Sequence, residues 1–74
     1  MREFAEQFIG KECIVYVLGT STTALQGTIK AVSDGAILLE RKDGVESVNL
    51  EYIVRIREFP RDANGKKKLL AVYD

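Results

Sequence analysis

The 74-residue chain contains no histidine, no tryptophan and only one cysteine, Cys13. Without histidine, and with a single thiol, zinc sites, histidine-based acid–base chemistry and Ser-His or Cys-His triads are all excluded. No convergent set of acid, base and nucleophile can be assembled from the remaining residues, so we expect no enzyme, no cofactor and no metal site. One cysteine cannot form an internal disulfide, and an intracellular, cytoplasmic protein is the simplest interpretation.

Net charge and long apolar runs are lacking too. The 11 Lys and Arg residues balance 11 Asp and Glu residues, and the pI is about 6.2, which argues against a generally basic nucleic-acid coat and against a cationic membrane binder. The longest apolar run, residues 13–18, has six residues, whereas a membrane helix needs about 20. Residues 1–6 also lack the apolar stretch of a signal peptide. We therefore expect no membrane partner.

Apolar residues nevertheless make up 46% of the chain. A domain of this length buries only about 60% of the surface that its unfolded chain exposes. Some apolar surface must then lie outside the core of one subunit, and self-association is one ordinary way to cover it. The alternative is an apolar-rich monomer, because folded surfaces are largely apolar in any case.

The first residues predict a short amphipathic helix over residues 2–9. Phe4, Ala5, Phe8 and Ile9 share one face of that helix, and Gly10 is a suitable residue to end it. A helix of this length is not stable alone in water. We therefore expect it to dock on the rest of the domain through its two phenylalanines.

The following residues predict five short strands over 12–18, 24–32, 36–42, 45–50 and 53–59. In the second strand Leu25, Gly27, Ile29 and Ala31 alternate inward, and a glycine inside a strand marks a bend. Asp34-Gly35 predicts a hairpin turn, and residues 51–52 predict a helical or 3₁₀ turn. The pattern favours a mainly β fold: a short N-terminal helix and a five-stranded, strongly bent antiparallel SH3-like barrel.

The barrel domain is expected to span residues 1–60, followed by a polar, basic tail over residues 61–74. In this tail Arg61, Lys66, Lys67 and Lys68 are candidate phosphate contacts. A charge run of this size is more often a solvated tail. Asn64-Gly65 could turn the chain back into a sixth strand, or the tail could stay mobile, and the sequence leaves both open.

Several short motifs lie within residues 2–60: Val-Tyr-Val-Leu at 15–18, Leu-Gln-Gly at 25–27 with Ile29, Ile-Leu-Leu at 37–39, and Ile-Val at 53–54. Together with the order of the predicted elements, these motifs resemble the Sm-like superfamily, and most nearly its bacterial Hfq branch. The first turn is about two residues longer than is usual in the family.

The resemblance implies an Sm-like fold and a homo-oligomeric ring, a hexamer or a similar size, in which the fourth strand of one subunit pairs with the fifth strand of its neighbour. The interface residues that it implies are Val45, Val48, Leu50, Ile53, Val54, Arg55 and Ile56. Such pairing would also cover the edge of a fifth strand that otherwise offers unpaired backbone groups.

The resemblance further implies RNA binding on the ring, with one of two family sites altered. At the U-rich site Gly35 stands where the stacking aromatic is expected, Ser33 stands at the aspartate position, and Glu51 follows the fourth strand in place of a basic pair. At the A-rich site Tyr16, Leu25 and Gln26 match. We therefore expect A-rich RNA to be preferred over U-rich RNA. The alternative is an oligomeric structural or interaction module that binds no RNA.

Overall fold

A computed structural model describes residues 1–19 and 23–60. It contains one short helix and five strands: α1 (Arg2–Glu6), β1 (Glu12–Val17), β2 (Thr23–Val32), β3 (Ala36–Arg41), β4 (Gly44–Asn49), a 3₁₀ turn (Leu50–Tyr52) and β5 (Ile53–Glu58). The predicted mainly β architecture with a short N-terminal helix is confirmed. So is the 3₁₀ turn, where the Oδ1 atom of Asn49 accepts a hydrogen bond from the backbone N–H of Glu51 at 2.8 Å.

The five strands form one antiparallel sheet in the order β4-β3-β2-β1-β5. The sheet is not closed, because β4 and β5 are its two edges and do not pair with each other. The predicted antiparallel strands are therefore confirmed. In the described part of the chain they form an open sheet and not the closed barrel that was predicted.

β2 is the longest strand and it belongs to two ladders. Its residues 23–28 pair with β1, and its residues 28–32 pair with β3. At Gly27 the strand passes so close to β3 that a Cβ atom there would lie 2.5 Å from the backbone oxygen of Glu40. Such a contact needs a residue without a side chain, as expected for the bend predicted at this glycine.

One face of the sheet carries the core. The largest side chains that are less than 2% exposed come from β1, β2 and β3, and they are Cys13, Val15, Ile29, Ile37 and Leu39. Val48, Leu50 and Ile53, from the edge strands and the 3₁₀ turn, join the same cluster. Burying one such aliphatic side chain contributes about 1.5–3 kcal/mol. The side of the sheet turned away from this cluster is called the outer face below.

A β-bulge in β2 corrects one detail of the predicted alternation. The pairing moves from Ile29 opposite Leu39 to Ala31 opposite Leu38, which leaves Lys30 as an extra residue. An extra residue reverses the alternation of side chains beyond it. Ala31, predicted to point inward, is therefore exposed, and Val32 packs against the core instead.

The helix is shorter than predicted and docks differently. It ends at Glu6, and the backbone then turns through Gly10, which has φ +86° and donates its N–H to the Ile29 carbonyl at 2.7 Å. Ala5 is buried and Phe8 packs against the core, but Phe4 is 71% exposed. Docking through both phenylalanines is therefore wrong for Phe4, because the helix ends before the two rings share a face. No helix in residues 1–19 or 23–60 has the length and apolarity to cross a membrane.

Candidate functional site

Tyr16 lies on the outer face of β1, next to the edge strand β5. Its partner across the β1–β5 ladder is Arg55, and the guanidinium carbon of Arg55 lies 5.1 Å from the centre of the tyrosine ring. This distance is within the range of a cation–π contact, about 6 Å. The phenol ring is half-buried. Tyr16 therefore presents a partly exposed aromatic surface that is held in place by an arginine.

Gln26 lies on the same face as Tyr16, on the neighbouring strand β2. Ile14 is the ladder partner of Gln26 on one side and of Arg57 on the other, and residues paired directly across a ladder point to one face. The exposed amide of Gln26 donates a hydrogen bond from Nε2 to Oε2 of Glu12 at 3.1 Å. The register thus brings Tyr16 and Gln26 into one surface with Arg55 and Arg57.

Leu25 lies on the other side of β2. It is the ladder partner of Val15 and packs, partly buried, against the core. Of the three residues that match the A-rich site by resemblance, two therefore share the outer face and one faces inward.

Arg57 is a site residue that the sequence reasoning did not single out. It follows Arg55 by two positions on β5, so both side chains project to the outer face. Both are exposed, and neither forms an ion pair with a carboxylate in residues 1–19 and 23–60. The signal was the alternation of arginines with apolar residues along the last strand. We call Tyr16, Gln26, Arg55 and Arg57 together the Tyr16 surface.

The two turns that correspond to the U-rich site by resemblance do come together. The N–H of Leu50 donates to the carbonyl of Gly35 at 2.9 Å, which joins the β2–β3 turn to the 3₁₀ turn. Ser33 uses its hydroxyl within its own turn, with Ala36. Asp34 is paired with Arg2 of the helix. The β2–β3 turn therefore offers neither an aromatic ring nor a free cation.

Tyr52 is an exposed tyrosine that does not belong to the Tyr16 surface. It belongs to the 3₁₀ turn and is 55% exposed, and its carbonyl accepts the N–H of Leu18 at 2.7 Å. The residue before it in the chain, Glu51, is acidic.

The residues that the resemblance places at a subunit interface divide into two groups. Val48, Leu50 and Ile53 are buried in the core, and Ile56 packs against it. Val45, Val54 and Arg55 are exposed. Val45 is 56% exposed on the edge strand β4, and Val54 is 53% exposed on the edge strand β5.

Other chemistry in the described part of the chain is sparse. Cys13 is buried, and burial, followed by the charge of Glu58, raises the pKa of its thiol from 9.0 to about 11. Such a thiol is a small core residue and a poor nucleophile. Residues 1–19 and 23–60 contain no group of three or more His, Cys, Asp or Glu side chains able to hold a metal ion. Arg61 and Lys66, Lys67 and Lys68 lie outside the described residues.

The family model described as "Domain of unknown function (DUF6897)" matches residues 1–59 of the chain. The chain belongs to the DUF6897 family. Comparisons with curated proteins and with solved structures gave no match. The DUF6897 match spans α1 and all five strands, and it therefore includes every residue of the Tyr16 surface. It ends before the basic tail.

Proposed function

We propose that this DUF6897 chain is a cytoplasmic, Sm-like, ring-forming subunit that binds single-stranded, adenine-rich RNA on its Tyr16 surface. The observation that carries the proposal is the arginine-supported ring of Tyr16, next to a second arginine that has no carboxylate partner in residues 1–19 and 23–60. Proteins that bind single strands commonly combine an aromatic platform with positive charge.

The chemistry of the Tyr16 surface suits an adenine better than a uracil at the ring. A purine has the larger face for stacking on the phenol, and stacking contributes about 1–3 kcal/mol per base. The Gln26 amide has both a donor and an acceptor, the pair that an adenine edge complements. Gln26 is exposed, and in the described part of the chain its amide has one hydrogen bond, to Glu12, so the amide can turn toward a base.

The ring follows from the two edges of the sheet. Within residues 1–19 and 23–60, no strand pairs with the outer edge of β4 or of β5, and each of these strands also exposes a valine, Val45 or Val54. Pairing β4 of one copy with β5 of the next covers both edges at once. Because the contact is head-to-tail, repeated copies close into a ring if the rotation allows. We propose a hexamer or a nearby ring size.

Val54→Lys tests the ring, because a lysine on an edge strand disfavours pairing with another strand. Light scattering at micromolar concentration should give several times 8.3 kDa for the native chain and a mass near 8.3 kDa for the variant. Ile9→Lys is the matched control, since Ile9 is exposed as well, at 45%, but lies outside the strands. A monomeric native chain would contradict the ring.

Fluorescence anisotropy with oligo-A and oligo-U tests RNA binding. Oligo-A should bind more tightly, and Tyr16→Ala should weaken it roughly 5- to 150-fold, the equivalent of about 1–3 kcal/mol. Tyr52→Ala removes an exposed tyrosine outside the Tyr16 surface and should change little. Tight binding of oligo-U would contradict the assignment of the site.

The second candidate function is an oligomeric interaction module that binds no RNA. The zero net charge of the chain and the exposed valines of its edge strands favour it. A native chain that forms a ring, yet binds neither oligonucleotide at low salt, would select this candidate.

A further inference from the structure

The described part of the chain contains seven cationic side chains, and most of them are neutralised locally. Arg2, Lys11, Lys30 and Arg41 each form an ion pair with a glutamate or aspartate. In residues 1–19 and 23–60, the cations without such a pair are Lys42, in the β3–β4 turn, and the two arginines of the Tyr16 surface. Two of the three cations without an ion pair therefore stand together on one strand.

Arg55 and Arg57 are not equivalent. Arg55 lies against the ring of Tyr16, at 5.1 Å from its centre, and this contact holds the ring in position. Arg57 has Ile14 as its ladder partner, and Ile14 is 2% exposed. An apolar neighbour neither neutralises the guanidinium nor competes for its five N–H donors. The nearest acidic residue on that face of β1 is Glu12, which already accepts the Gln26 amide.

We propose that Arg57 is the phosphate-contacting residue of the Tyr16 surface, and that it binds the RNA backbone while Tyr16 binds a base. This inference rests on the proposed function and adds a division of roles within the same site. An arginine fork matches a phosphate in two parallel hydrogen bonds. Two positions along a strand separate Arg57 from Arg55 by about 6.6 Å, and it is Arg55 that lies over the ring. Phosphate contacts fix position, and base contacts give the sequence preference.

The test compares two probes on the full chain: oligo-A, and an abasic oligomer of the same length that keeps its phosphates and has no bases. Arg57→Gln should weaken the binding of both probes by the same factor. It should also make the plot of log K against log salt less steep by about 0.7, the value for one phosphate contact with a single strand. The preference for oligo-A over oligo-U should not change. Tyr16→Ala should weaken oligo-A and leave the abasic oligomer unchanged.

Two further variants separate the role of Arg57 from a general effect of charge. Arg57→Lys keeps the positive charge and should keep most of the salt slope. Lys30→Gln removes the same charge from a surface lysine that is paired with Glu40, 3.8 Å away, and should leave the slope unchanged. Thermal melting of each variant at one concentration should match the native chain, because Arg57 is exposed.

The outcomes are distinguishable. If Arg57→Gln leaves the salt slope unchanged while Tyr16→Ala still weakens oligo-A, the phosphate role is overturned and the proposed function stands. In that case the phosphate contacts come from elsewhere in the chain. If the native chain binds neither oligo-A nor oligo-U at low salt, the proposed function is overturned and the role of Arg57 with it.

Discussion

Adding a single methyl group at Gly27 should damage the fold more than its size suggests. A Cβ atom there would lie 2.5 Å from the Glu40 carbonyl oxygen, 3.1 Å from Cγ of Leu39 and 3.2 Å from Cγ of Arg41. The shortest contact is with backbone, which cannot rotate away as a side chain would. Relief therefore requires β2 and β3 to separate where their ladder begins, at the pair of Thr28 with Glu40.

The expected cost of Gly27→Ala follows from two opposing effects. Overpacking a tight site costs about 1–3 kcal/mol, while replacing glycine by alanine recovers about 0.4–1 kcal/mol by restricting the unfolded chain. Because the clash is with backbone, we expect a net loss of about 2 kcal/mol, which lowers Tm by roughly 8–16 °C in a domain of this size. Gly27→Val should cost more, since it adds two further methyl groups.

Gly35→Ala is the matched control for Gly27→Ala. A Cβ at Gly35 meets no atom within 4 Å, and this glycine does not have a positive φ. Its replacement should be neutral or slightly stabilising. Melting curves followed by far-UV circular dichroism should be recorded at one protein concentration, because association makes Tm depend on concentration. Equal Tm values for the native chain and Gly27→Ala would refute the close approach of β2 and β3.

Three further effects follow from the core and its turns. Ile29→Ala removes a completely buried side chain and should cost about 2–5 kcal/mol in urea unfolding, whereas Leu38→Ala, at a residue 40% exposed, should cost far less. Asn49→Ala removes the acceptor of the Glu51 N–H and should cost about 1 kcal/mol by the same measurement. The Cys13 thiol should react slowly with a thiol reagent at pH 8 and rapidly in urea. Because its pKa is raised to about 11, its contribution to stability is complete below pH 9 and is lost as pH rises through 11.

The strands were predictable because their residues alternate between two environments. In β3 the buried Ile37 and Leu39 alternate with the exposed Leu38 and Glu40, and a period of two is typical of a strand. The 3₁₀ turn was predictable from its position between two strands. The DUF6897 match over residues 1–59 gives no further information about the fold, because its description names only a domain of unknown function.

The details that failed are set by packing that a local pattern does not contain. The bulge at Lys30 depends on how β3 pairs with the second half of β2, and the residues around Lys30 do not indicate a bulge. The helix end depends on Gly10 reaching the Ile29 carbonyl, a contact across 19 residues of sequence. The exposure of Phe4 follows from that early end.

The site was predictable only in part. Tyr16 and Gln26 could be proposed from their match to a known pattern, but that match could not tell that Leu25 packs against the core. The pairing of Arg55 with Tyr16 requires the β1–β5 register, because the two residues are 39 positions apart in the chain. Alternation along β5 could have indicated that Arg55 and Arg57 share a face. It could not have indicated that an aromatic ring lies beside them.

A net charge of zero for the whole chain does not by itself exclude binding to a nucleic acid. The balance of 11 cationic against 11 anionic residues describes the whole chain, whereas a nucleic acid contacts one part of the protein surface. On the outer face of β5 two arginines stand without a carboxylate partner in residues 1–19 and 23–60, while Glu51 places a negative charge at the 3₁₀ turn. Charges of opposite sign at these two places cancel in the sum but are separated in space. In a ring each copy would repeat that separation, so a neutral subunit would carry a regularly repeated band of positive charge, and binding to it would weaken steeply with salt.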